Sequence, residues 1–163
     1  VPKFGTVPPE VAVQSDLSLL APKFRAAVEA TVRDMEAKGH KVRVFETART
    51  AERQKFIYGF GRDYDDGRGV VTKVQDHLAS WHGYRLAADI VEDDRDPWTA
   101  PQSFWNDLGV CSAAHGLSWG GNWAWKDLPH VQWGKCRKSP SSESRRLIEM
   151  GGVEAVWRAV GAL

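Results

Sequence analysis

Leu86-Ala87-Ala88-Asp89-Ile90-Val91 is an apolar run interrupted by a single carboxylate. It reads as a short buried strand, and the chemistry of the chain gathers around it. His82 stands in the turn just before. A turn can fold back so that its imidazole meets the Asp89 carboxylate projecting from the strand. Further on, Asp127-Leu128-Pro129-His130 leads into Val131-Gln132-Trp133, a second strand-like run. Pro129 stiffens that approach by fixing its own φ and restricting Leu128. Two strands side by side would bring His130 against the first pair. A chain with 5 histidines thus offers two imidazoles and two carboxylates at one place. A catalytic zinc site takes three protein ligands of N or O type and leaves one position open. His82, Asp89 and His130 are the candidate ligands, and Asp127 is then the spare acid. The chemistry implied is hydrolysis by metal-activated water.

At these residues the sequence resembles a known family. Ser80, His82, Ala87 and Asp89 meet the S-x-H-x-x-G-x-A-x-D signature of the zinc peptidases of bacterial cell walls, which include D-alanyl-D-alanine carboxypeptidases and L-alanyl-D-glutamate endopeptidases. Trp119-Gly120-Gly121-Asn122-Trp123 followed by Asp127-x-x-His130 is similar to the endopeptidase branch; the carboxypeptidase branch more often shows a Glu and a Trp-His pair there. Glu46-Thr47-Ala48-Arg49-Thr50-Ala51-Glu52-Arg53-Gln54 is similar to the family's segment upstream of the metal motif. The likeness runs from about residue 17 to residue 133. It departs at Arg85, where the family has glycine. If that position takes φ > 0, an arginine costs about 1 kcal/mol, which touches the turn and the substrate fit rather than the ligands. Val131, where an aromatic is usual, is a milder change.

The resemblance implies an α+β fold, a small and mainly antiparallel sheet with flanking helices, shared with the Hedgehog signalling domain. It implies a Zn2+ cofactor on His82, Asp89 and His130, with Asp127 as the base that later passes its proton to the leaving amine. Arg49 would stabilise the developing oxyanion, a role worth about 3 kcal/mol for one donor; the plainer reading is a surface salt bridge. Ser80, Trp119 and Trp123 are candidate substrate contacts, Ser80 serving equally well as a cap of its turn. The substrate implied is the peptidoglycan stem peptide. L-alanyl-D-glutamate endopeptidase is the first reading and D-Ala-D-Ala carboxypeptidase the alternative. A third, for which Arg85 is the best support, is a catalytically silent zinc-binding module that recognises wall peptides.

Composition bounds the rest. A chain of 163 residues suits one domain with a sizeable core. A formal charge of +1 implies no bulk attraction to nucleic acid or to a membrane. No run is apolar enough to span a bilayer, and no basic, apolar leader opens the chain. The expectation is a monomer acting on the cell wall, periplasmic, extracellular or phage-released. Four tryptophans, Trp119, Trp123, Trp125 and Trp133, cluster around the second motif. Each reads either as groove lining or as core. Cys111 and Cys136 are expected as free, buried thiols rather than a disulfide.

In chain order, residues 1–16 read as an extended arm and 18–38 as a helix, with Leu20, Phe24, Val28, Val32 and Met35 as its core stripe. Gly39 stops it and His40 sits at its exposed end. Residues 41–47 alternate Val42 and Val44 with charges, a half-buried strand that delivers Glu46 and Arg49 to a turn; Glu46 is expected to orient a neighbour. Thr50 caps a helix over 51–58. The loop 59–69 carries Asp63, Asp65 and Asp66 without calcium-loop spacing. A short strand is expected at 70–72, and His77 near the site. The charged run 92–96 reads as loop. Pro101 opens a helix that buries Phe104, Trp105, Leu108, Cys111 and Ala114 and ends at His115. Residues 117–119 read as a strand, 139–142 as a break, and 144–150 and 153–160 as closing helices.

Overall fold

The computed structural model describes residues 3–94 and 96–163. Val1, Pro2 and Arg95 lie outside the described residues, and with them the start of the predicted arm and one position of the predicted loop 92–96.

Four strands form one sheet: β1 (Val42–Glu46), β2 (Ala87–Glu92), β3 (Leu117–Trp119) and β4 (His130–Trp133). Their order is β1-β2-β4-β3, and every neighbouring pair is antiparallel. The apolar run with its single aspartate becomes β2, flanked on both sides, with Ala87, Ala88, Ile90 and Val91 buried. The strand expected at 70–72 does not form. Val70 and Val71 are exposed there, and two β-branched residues without a neighbouring strand have nothing to pair with.

Helix α1 (Pro22–Ala37) begins later than the periodicity predicts. Pro22 occupies its first turn, where a missing N–H goes unnoticed. Leu17–Leu19 forms a separate 3-10 turn capped by Asp16. Phe24, Val28 and Met35 are buried as the stripe requires, Val32 is half-buried, and Leu20 reaches the core from the connector. Gly39 ends the element at φ 93°, a conformation in which glycine carries no Cβ penalty. Helix α2 (Ala51–Gly59) starts as predicted, with Thr50 accepting from the Arg53 amide. Helix α3 (Gln102–Ala114) packs across α1 and buries Phe104, Trp105, Leu108 and Cys111. Ala114, in its last turn, is exposed instead. The two predicted closing helices are the two limbs of α4 (Ser142–Ala159), broken at Gly151 and Gly152. Cys111 and Cys136 are free, and burial pushes the Cys136 thiol up to about 12.

The helices α1 and α3 cover the apolar side of the sheet, leaving its other side for the groove described below. The N-terminal arm is extended, as expected, and is laid against the segment that leaves β1. The Thr47 amide donates to the Gln14 carbonyl at 2.7 Å, and its hydroxyl reaches Gln14 and Asp16 carbonyls at 3.1 Å each. Arg53 donates to the Val11 carbonyl at 2.9 Å.

Candidate metal centre

Asp89 occupies the middle of the sheet, with Glu46 as its strand partner on one side and His130 on the other. The pairing of β1 with β2 slips between Val44 and Glu46, a bulge that sets Phe45 and Glu46 together against Asp89. In a regular strand Glu46 would share the face of Val42 and Val44. The extra residue turns it to the face of Asp89 instead.

His82 lies in a 3-10 turn, Trp81–Tyr84, whose first amides are capped by Ser80; the Ser80 hydroxyl accepts from the His82 amide at 3.3 Å. The turn closes with Arg85 at φ 61° and ψ 35°, the left-handed conformation that a glycine would adopt freely. The Arg85 side chain does not line the groove. Gly83 is required here, because a Cβ would stand 2.1 Å from the His77 carbonyl oxygen.

Each imidazole has one nitrogen already committed. His82 Nδ1 lies 2.8 Å from the Thr47 carbonyl, which can only accept, so this nitrogen carries the proton and Nε2 keeps its lone pair. His130 Nε2 lies 2.8 Å from Gln132 Oε1. The Gln132 amide nitrogen donates to the carbonyls of Arg137 and Lys138 at 3.0 and 3.3 Å, which fixes Oε1 as an acceptor. His130 Nδ1 is then the free lone pair. These free atoms face one carboxylate oxygen: Asp89 Oδ1 is 3.4 Å from His82 Nε2 and 3.6 Å from His130 Nδ1. The three ligand atoms lie within 4.8 Å of one another.

Asp89 Oδ1 is buried and has no hydrogen bond. Three acceptors turned toward one point, one of them an orphaned carboxylate oxygen, call for a positive charge between them. Zinc bonds of 2.0–2.1 Å in a tetrahedron put neighbouring ligands about 3.3–3.4 Å apart, close to the two spacings to Asp89. The donor set therefore fits zinc. The local field agrees. Burial would raise the Asp89 carboxyl, but the His82 and His130 imidazoles hold it well below the usual carboxylate range. Burial opposes charge on His130 too, yet Asp89, Asp127 and Gln132 together raise it.

Asp127 stands beside this trio. Its Oδ2 is 3.8 Å from His130 Nδ1, and its side chain is 38% exposed toward the groove. Burial and the negative charge of Asp89 raise its pKa. Its amide donates to the Gly120 carbonyl at 3.0 Å, and a Cβ on Gly120 would stand 2.4 Å from the Asp127 carbonyl oxygen.

Arg49 is not a surface residue. Its Nε donates to Glu46 Oε1 at 2.9 Å, Nη2 donates to the same oxygen, and Nη1 donates to Gln54 Oε1 at 3.1 Å. Nη2 also lies 3.9 Å from Asp89 Oδ2. Glu46, buried itself, faces Arg53 Nε at 3.5 Å and so orients its neighbours, as expected.

A groove of about 1020 Å³ runs over the trio, and Arg49, Ser80, Trp123 and Asp127 all line it. The Trp123 ring centroid is 5.0 Å from that of His130. Trp119 does not line it. Its indole donates to the Leu128 carbonyl at 2.6 Å and lies over Gly121, where a Cβ would stand 2.1 Å from the ring. Trp119 therefore supports the 120–128 loop from beneath, which corrects its expected place among the substrate contacts. Trp133 ties β4 to the end of α4 through the Val160 carbonyl. Of the other histidines, His40 meets Asp107 and His115 meets Asp34, away from the trio, while His77 stands 3.5 Å from Asp76 and lies against Gly83, near the site as expected. Sequence reasoning passed over Gln132, Gln54 and the Thr47 carbonyl. Gln132 had a signal, since alternation along β4 puts it on the face of His130.

No curated protein matches the chain. Among solved structures, the crystal structure of the L-Ala D-Glu endopeptidase ChiX from Serratia marcescens is similar, with a TM-score of 0.54 and 19% sequence identity over 72% of this chain and 82% of that one. Residues 73–133, which contain Ser80, His82, Asp89, Asp127 and His130, match the sequence model of a family described as D-alanyl-D-alanine carboxypeptidase. The matched stretch holds the metal-site motifs, and the fold is shared with the Serratia structure.

Proposed function

We propose that this chain is a zinc-dependent peptidase that cuts peptidoglycan stem peptides between L-alanine and D-glutamate. The observation that carries the reading is the convergence of His82 Nε2, His130 Nδ1 and the orphaned Asp89 Oδ1 at the floor of the groove. These three would hold the ion. Bound there, zinc supplies Lewis acidity and brings the pKa of water toward about 7. Asp127 Oδ2 takes the proton of the attacking water and delivers it to the leaving nitrogen. Arg49 has three of its five N–H groups committed to Glu46 and Gln54. The remaining two can donate to the substrate carbonyl as it gains charge. The Ser80 oxygen accepts from the His82 amide, and its own hydrogen is left for the substrate. Trp123 forms the adjoining wall.

Two features favour the endopeptidase reading over carboxypeptidase activity. Asp127-x-x-His130 stands where carboxypeptidases more often have Glu and a Trp-His pair, and the fold is similar to that of the Serratia endopeptidase. The described residues act as one peptidase domain, working in the wall outside the cytoplasmic membrane; no helix among them is long and apolar enough to cross a membrane. Digesting purified sacculi and reading the products by mass spectrometry tests the proposal. New D-glutamate amino termini are expected. Released D-alanine would instead mark a carboxypeptidase, and unchanged muropeptides a silent binding module. Asp127→Ala is expected to keep its metal and lose about 10²–10⁴-fold in turnover.

A further inference from the structure

Two lysines rest on indoles beside the groove. Lys73 Nζ lies 4.7 Å from the Trp125 ring centroid, and Lys138 Nζ lies 5.4 Å from that of Trp123. All four residues line the groove. The groove's arginines have their charge answered within the protein: Arg49 and Arg53 by Glu46, and Arg68 by Asp66. Neither lysine has a salt bridge with any described carboxylate within 4.0 Å. An ammonium held against an aromatic face keeps its outward N–H groups for an anion.

Resting on the proposed peptidase reading, we infer that Lys73 and Lys138 bind the carboxylates of the stem peptide on the leaving-amine side of the scissile bond. They would then set both the direction in which the peptide lies and the preference for its acidic form. D-glutamate joined through its γ-carboxyl leaves its α-carboxylate free, so that side of the bond is the anionic one. The geometry assigns it to these lysines because Trp123, Trp125 and Asp127 belong to one loop. The cations that cover those indoles flank the acid that protonates the leaving nitrogen. The β1 side of the groove is different. There the bulged Phe45 meets Trp98 edge to face at 5.0 Å, an apolar wall. A peptide laid in the reverse direction would set its carboxylates against that wall.

The test uses the metal-loaded chain carrying Asp127→Asn, which binds without turning over. Tryptophan emission reports binding, since the lysines sit on Trp123 and Trp125. The probes are a stem tripeptide with free carboxylates and the same tripeptide with those carboxylates amidated, at low salt. The free acid is expected to bind about tenfold tighter than the amide. With Lys73→Met and Lys138→Met together, that preference is expected to shrink to about twofold or less. Lys55→Met, which removes the same charge from an exposed position on α2, is expected to retain it. Equal binding of the two probes, binding of neither, or a preference that survives the double substitution would overturn the inference, as would its loss in Lys55→Met. The two readings fail separately. Acid preference without cleavage of sacculi by the unmutated chain would sink the peptidase, and cleavage without acid preference would sink the lysines.

Discussion

His40 and His115 each face a carboxylate, and so do His82 and His130, yet the two sets are built for different ends. His40 Nε2 lies 2.7 Å from Asp107, and His115 Nε2 lies 2.7 Å from Asp34. Those are ordinary hydrogen-bond lengths, and both pairs fasten α3 to its surroundings, His40 also packing edge-on against Phe104. At the groove floor the nitrogens stand off at 3.4 and 3.6 Å, while each ring's other nitrogen is tied to a carbonyl oxygen, one of backbone and one of glutamine. A short contact satisfies both partners and is finished. A longer one between partners whose protons are engaged elsewhere leaves room for an ion. The second nitrogen, more than the nearby acid, tells the two kinds apart.

Breaking that contrast should scale with closeness to the shared point. His82→Ala is expected to abolish metal retention and turnover together, read by elemental analysis of dialysed protein and by the sacculus digest. If the metal stays, the ligand assignment fails. Gln132→Leu leaves all three ligands in place but releases the proton on His130 Nε2. Zinc affinity should fall about 10–100-fold in a competition titration with a chelating dye. Arg85→Gly should relieve the left-handed turn without touching the ligands, stabilising the fold by about 1 kcal/mol. That is a rise of about 2–4 °C in Tm, and no rise would mean the turn carries no strain. His115→Ala completes the series. It should cost under about 1 kcal/mol in denaturant unfolding, because the pair with Asp34 is partly exposed, and it should leave metal content unchanged.

The three proposed ligand positions are legible because each sits beside a strong local pattern. His82 precedes the apolar run, Asp89 interrupts it, and His130 opens the next one. Asp127 and Arg49 followed from their neighbours. What stayed hidden has a physical cause in each case. Val42, Val44 and Glu46 keep a clean period of two, so nothing in the letters reveals the bulge that turns Glu46 away from the valines' face. Trp119 and Trp123 flank the same pair of glycines, and composition cannot say that one indole lies under the loop while the other faces His130. Val70 and Val71 have strand-forming side chains, but pairing is a property of the partner, and no strand among the described residues pairs with them. Ser80 caps its turn, one of its two predicted roles.

The N-terminal arm carries none of these groups, yet it governs one of them at a remove. Thr47 is pinned by Gln14 and Asp16, and the Thr47 carbonyl is what holds the His82 ring. Trimming the protein beyond Asp16 would therefore spare every ligand and still let the first imidazole swivel. For anyone choosing where to begin a shortened version, the cut belongs ahead of Gly5, whose amide donates to the Asp63 carbonyl, even though the motifs start far downstream.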